Sequence, residues 1–196
     1  MAKTIKAWWF GGNVLGHGDG REVTPGTVHT AEGAISACAN GLHGSRRVLD
    51  ALAYSHGTQV WRVELSGDCD HRDDKIAASE RRYLWSVDAG VALRRFGCRE
   101  ALRVLPDNAA PCIREYLVLA DRATEVQREA AYRAAYRASH WAAHGDAEAA
   151  ALWAAHWARA ALWAASWATE RATERARQNR SLTRRIAAAH RRQAHS

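Results

Sequence analysis

The sequence predicts an α+β fold: a small mixed sheet with helices in the N-terminal part, followed by an α-helical hairpin tail. Short apolar segments broken by dense turn residues run to about residue 87, with turns at Gly11-Gly12-Asn13, Gly16-His17-Gly18-Asp19-Gly20, Pro25-Gly26, Asn40-Gly41 and Ser66-Gly67-Asp68. From Asp88 onward the apolar spacing becomes helical. Residues 121–170 then hold 20 alanines, which raises helix propensity close to its maximum.

The elements follow in chain order. Strands are expected at Ile5–Phe10, Val28–Thr30, Gln59–Leu65 and Ile76–Trp85. The third is the clearest, because Val60-Trp61-Arg62-Val63-Glu64-Leu65 alternates apolar and polar residues in the manner of a half-buried strand. Between Gly44 and His56 a helix is expected, with Ser45 as cap and Val48, Leu49, Leu52 and Ala53 as its apolar face. Asp88 caps a helix carrying Val91, Leu93, Phe96, Leu102 and Leu105 that Pro106 ends, and Pro111 opens another near Cys112–Ala120. Residues 121–144 read as one further helix, broken by Gly145. Asp146 then caps a last helix running to about Ala189. Two domains result: a head over 1–120 and an Ala/Trp-rich hairpin over 121–196 that ends in an Arg-rich segment.

The tail carries the most specific pattern. Leu152-Trp153-Ala154-Ala155-His156-Trp157-Ala158 recurs ten residues later as Leu162-Trp163-Ala164-Ala165-Ser166-Trp167-Ala168. On a helix, Trp153, Trp157, Trp163 and Trp167 share an arc of about 120°. Together with Trp141 they form a ridge too apolar to leave in water. Three ways of covering it remain open: an intramolecular hairpin, self-association into a homo-oligomer, or capture of a partner's helix or groove.

Charge is distributed just as unevenly. Lys plus Arg against Asp plus Glu number 15 and 14 in residues 1–120, 5 and 6 in 121–170, and 8 and 1 in 171–196, so the last segment holds the excess behind the net charge of +7. Its cations are Arg171, Arg175, Arg177, Arg180, Arg184, Arg185, Arg191 and Arg192. Such an end suits an anionic partner, nucleic acid above all; the plainer alternative is a solvated helix end that aids solubility.

Other classes find less in the sequence. No run approaches the roughly 18 apolar residues of a membrane span, and the first residues lead into an aromatic strand, so a soluble, cytoplasmic protein is expected. Cys38, Cys69, Cys98 and Cys112 form no C-x-x-C pair, which favours reduced thiols over a disulfide framework. Cys38 with His43 and Cys69 with His71 match no common zinc spacing, so neither metal nor cofactor is expected.

Several strings resemble a known family. Lys6-Ala7-Trp8-Trp9-Phe10, Cys38-Ala39-Asn40-Gly41-Leu42-His43-Gly44-Ser45 with Leu49-Asp50-Ala51-Leu52 and Tyr54, Val60 to Gly67, and Asp74-Lys75-Ile76-Ala77-Ala78-Ser79 resemble an uncharacterised domain of bacteriophages and bacteria, often followed by an Ala/Trp/Arg-rich helical tail. The resemblance covers about the first 90 residues and implies a phage or mobile-element setting. The order strand, Gly-Leu-His-Gly-Ser turn, helix, strand is also similar to the middle of ADP-ribosyltransferase folds. That likeness implies a nicotinamide pocket lined by His43 and Ser45, with Tyr54 stacking on a ring and Glu64 or Glu80 as the carboxylate. Ser79-Glu80-Arg81-Arg82 stands where such enzymes carry a paired Glu-x-Glu.

The function expected from these features is that of a non-enzymatic binding protein, a phage-type accessory or interference protein docking on a host protein or nucleoprotein complex. An NAD-dependent ADP-ribosyltransferase-like enzyme and a self-assembling structural component are the alternatives.

Overall fold

A computed structural model describes residues 4–142 and 172–195 except 17–18, 38, 56, 106 and 108, with the side chains of 104, 135–142 and 172–174 also outside the description. The described part is α+β. Its strands are β1 (Ile5–Phe10), β2 (Val28–Thr30), β3 (Leu42–Gly44), β4 (Gln59–His71) and β5 (Ile76–Asp88). Its helices are α1 (Val48–Ala53), α2 (Gly90–Val104), α3 (Pro111–Leu119), a 3-10 turn at Ala120–Arg122, α4 (Glu125–Ala142) and α5 (Ala172–Gln193). By compactness the chain divides into one unit of residues 1–90 with 178–196 and another of 91–177.

The first unit is built on the β4–β5 hairpin, whose strands run well past the segments expected from alternation alone. They stay paired from Gln59↔Asp88 to His71↔Ile76 by absorbing two irregularities. The first leaves Leu84 without a partner between Arg62↔Trp85 and Val63↔Tyr83. The second sets Gly67 and Asp68 against Ser79, with Gly67 at φ +76°, where a side chain would be strained. Strand β1 pairs antiparallel with β4, while β2 and β3 pair with different stretches of β5. The sheet then curls back on itself: Trp8 of β1 exchanges both backbone hydrogen bonds with Ser45, just past β3, at 2.8 and 2.9 Å. This return brings the Gly44 backbone close to Ala7 and Leu65, where an added Cβ would stand 3.1 Å from the Ala7 methyl. Strand β3 escaped the sequence reading because its three residues lie inside a string dominated by turn formers.

Inside the curl lie Ile5, Ala7, Leu15, Val23, Leu42, Trp61, Val63, Leu65, Ile76, Ala78 and Tyr83. Within the same unit α1 is short and its expected cap is used elsewhere. Ser45 is buried in the bridge to Trp8, and Arg47 at the cap position makes no side-chain cap bond. Instead the Leu49 N–H donates to Asn179 Oδ1 in α5 at 3.3 Å, so a group orphaned at one helix start is satisfied by a residue 130 positions away.

In the second unit Cys98, Ala101, Leu105, Ile113, Leu117 and Ala120 form the core. The long helix expected from residue 121 starts later. Ala120 adopts φ +53°, the 3-10 turn follows, and Thr124 opens α4. The Gln127 N–H donates to Thr124 Oγ1 at 3.2 Å while the Thr124 N–H donates to Gln127 Oε1 at 2.9 Å, a reciprocal capping box. Arg95 holds Asp121 through two bonds of 2.6 and 2.8 Å. Arg177 pairs with Glu100, whose side chain is 3% exposed.

Candidate functional site

Helix α5 is the feature on which the described functional residues converge. Its sequence from Arg175 to Gln193 contains seven arginines and no acidic residue. A strip of this kind, if solvated on all sides, would be a frayed and mobile array of charges. Here Gln178, Leu182 and Ile186 recur at helical spacing and are buried, with both aliphatic side chains at 0% exposure. His190, the next in the series, stacks on Trp85 with ring centroids 4.0 Å apart and planes 9° from parallel. Trp85 meets Trp8 edge to face at 5.7 Å, and the Arg62 guanidinium lies 4.5 Å above the Trp8 ring. The helix is thereby seated from Gln178 to His190.

Fixing one face determines the other. Arg180, Arg184, Arg191 and Arg192 are exposed, whereas Arg175, Arg177 and Arg185 are half-buried. Arg177 is also neutralised by Glu100. The eight arginines counted from the sequence therefore separate into unequal groups, with Arg171 outside the described residues. The Trp141 side chain and Trp153, Trp157, Trp163 and Trp167 are outside them as well, and so is the hairpin expected around them.

The residues carried over from the transferase likeness each make local contacts. His43, on β3, has its Nε2 3.0 Å from the Ala37 carbonyl, and Ser45 sits in the bridge to Trp8. Tyr54, exposed beyond α1, donates its hydroxyl to Asp74 and lies under the Lys75 ammonium. Glu64 stands opposite Arg82 in the β4–β5 ladder, and Glu80 stands opposite Ser66, whose hydroxyl donates to Glu80 Oε2 at 2.9 Å. A shallow, open groove of about 480 Å³ lies elsewhere, between α3 and the start of α4, lined by Pro111, Arg114, Glu115, Val118, Leu119 and Gln127.

A polar cluster that sequence reasoning missed lies beneath the sheet. Arg81 is 2% exposed and has no carboxylate within its hydrogen bonds. Its Nε and Nη2 donate to the Tyr83 hydroxyl at 2.9 and 2.6 Å, and its Nη1 donates to the His43 carbonyl at 2.7 Å. The guanidinium lies 4.1 Å above the Trp9 ring and 4.9 Å above that of Tyr83. Burial lowers its proton affinity, and aromatic faces and oxygen lone pairs offset part of that loss. Proton bookkeeping then fixes a third residue. With both lone pairs of the Tyr83 oxygen taken by Arg81, its O–H points to His29 Nδ1 at 3.1 Å, so His29 is neutral and carries its proton on Nε2. Burial and the nearby Arg21 and Arg81 push the His29 pKa down, consistent with a neutral ring. Its pairing, His29↔Arg81 across β2 and β5, was available only once the strand register was known.

Among the described residues no group of three or more His, Cys, Asp or Glu is placed to hold a metal ion. No described helix is long and apolar enough to cross a membrane. No curated protein and no solved structure matches the chain. Residues 21–95 match the family model of a domain of unknown function, DUF7666, which covers β2 through the start of α2.

Proposed function

We propose that the chain is a non-enzymatic binding protein that docks on an anionic partner, a nucleic acid or a nucleoprotein complex of a host cell, in the manner of a phage-type accessory or interference protein. The observation that carries this reading is the seating of α5. Its apolar stripe is consumed by the head, and its opposite face presents exposed arginines with no acidic residue among them. An electrostatic surface built on a fixed helix loses little conformational entropy when it engages its target, which favours affinity over mere solubility. The phage-type setting rests on the resemblance of the N-terminal strings and the Ala/Trp/Arg-rich tail to the domain described from the sequence.

Retention of the full-length protein on heparin-agarose tests the reading. Replacing Arg180, Arg184 and Arg191 together by Glu is expected to lower the eluting salt concentration sharply while the circular dichroism spectrum stays unchanged. Elution of wild type and variant at the same salt would remove the arginine face from the function.

A further inference from the structure

We infer that the partner of the α5 face is the phosphate backbone of duplex nucleic acid, contacted without regard to sequence; this rests on the reading above and specifies it. On a helix of 3.6 residues per turn, Arg180, Arg184 and Arg191 fall within an arc of about 40° and span about 16 Å of axis. Leu182, fully buried, lies about 180° away, so the three guanidiniums face directly outward. Ala187 falls about 20° outside that arc. The outward line thus reads Arg, Arg, Ala, Arg at i, i+4, i+7 and i+11, cationic with a small residue that permits close approach.

Three features select duplex over single strand. The row is straight and held on a rigid element, which matches a stiff polymer carrying one phosphate charge per about 1.7 Å of its axis, whereas a single strand would have to be ordered against it. Single-strand binders add aromatic platforms beside their cations. Here the described rings next to the helix are engaged with one another, Trp85 with His190 and with Trp8, and Trp8 with Arg62. The third feature concerns base reading. Of the three amides on the helix, Gln178 is buried, Asn179 accepts from the Leu49 N–H, and Gln193 is exposed only at the last turn, beyond Arg191. Along the line from Arg180 to Arg191 no amide faces outward.

Fluorescence anisotropy with full-length protein tests the inference on three labelled probes: a 30-base-pair DNA duplex, its shuffled counterpart, and the corresponding single strand. The duplexes are expected to bind alike within twofold and tighter than the single strand. With three phosphates neutralised, log K is expected to fall with log salt at a slope of about −2.7, or about 40-fold between 50 and 200 mM. Replacing Arg180, Arg184 and Arg191 by Gln should abolish most of that slope, and Arg177→Gln, whose cation already faces Glu100, should leave it unchanged. Tighter binding of the single strand, or a preference between the duplexes above tenfold, would overturn the duplex inference while leaving the anionic surface intact. Heparin retention without duplex binding would have the same effect. A wild-type slope in the triple variant would overturn both.

Discussion

Removing one oxygen atom from the core, in Tyr83→Phe, is expected to destabilise the protein far more than a Tyr-to-Phe change ordinarily does. The Tyr83 hydroxyl accepts from two nitrogens of Arg81 and donates to His29. Without it, two N–H groups of a cation that is 2% exposed have no acceptor, and His29 Nδ1 has no donor. Hydrogen bonds to charged groups contribute about 1.5–3 kcal/mol each, and breaking one side of a buried ionic arrangement costs about 3–5 kcal/mol. The lower end of that range applies, because the Nη1 bond to the His43 carbonyl and the Trp9 face remain. A loss of about 3 kcal/mol corresponds to a drop in Tm of about 6–12 °C for a chain of this length. Urea denaturation followed by tryptophan fluorescence measures it, since Trp9 and Trp61 both adjoin Tyr83. The second arm is Arg81→Met combined with Tyr83→Phe. Deleting the cation as well as its acceptor is expected to recover at least half of the loss, because no buried charge is then left without its acceptor, and only His29 Nδ1 and the His43 carbonyl lose a partner. A Tyr83→Phe loss below about 1 kcal/mol, or a double variant as unstable as the sum of its parts, would refute the account of Arg81 as a cation held by this oxygen.

Three further outcomes are expected. Ile186→Ala, at a fully buried site on α5, should cost about 2–5 kcal/mol in the same denaturation assay, and a loss under 1 kcal/mol would show that the helix is not seated as described. Because the folded His29 pKa is depressed below 6.5, the unfolded chain takes up the proton first; stability should be full above about pH 6.5 and fall as pH drops from there toward the folded pKa. His29→Phe should flatten that limb of the stability–pH curve, and an unchanged curve would count against the neutral tautomer. Burial raises the Cys98 thiol to about 11, so iodoacetamide at pH 8 should alkylate Cys69 and Cys112 well before Cys98, as read by peptide mass spectrometry.

Much of the head was legible in the chain because its signals are local. Alternation placed the start of β4, short segments between turn residues placed β1, β2 and the start of β5, and Pro111 placed α3. Local signals reached their limit where long-range pairing decides the outcome. The extension of β4 to His71 needs the bulge at Gly67, and β3 exists only because β5 offers it a partner. Thr124 with Gln127 was a readable capping signature inside a stretch whose alanines suggested one unbroken helix. The arginines of the last segment stood out by composition, but their sorting into outward and inward groups depends on Leu182 and Ile186 meeting the head, which spacing can hint at and only packing decides. The Arg81, Tyr83 and His29 cluster left no trace in linear order, since residues 29 and 81 become neighbours only through strand register.

The grouping of residues 178–196 with residues 1–90 sets an order on biogenesis. When the β5 strand leaves the ribosome, the helix that will cover Trp85 has not been made; the 87 residues of the second unit lie between Gly90 and Gln178, or about 4–17 s of translation. For that interval the nascent head exposes the surface destined for Leu182 and Ile186, open to chaperones or to aggregation, and it matures only when its own far end arrives. A fragment trimmed to residues 21–95 would be held permanently in that immature condition, lacking β1 as well as its cover.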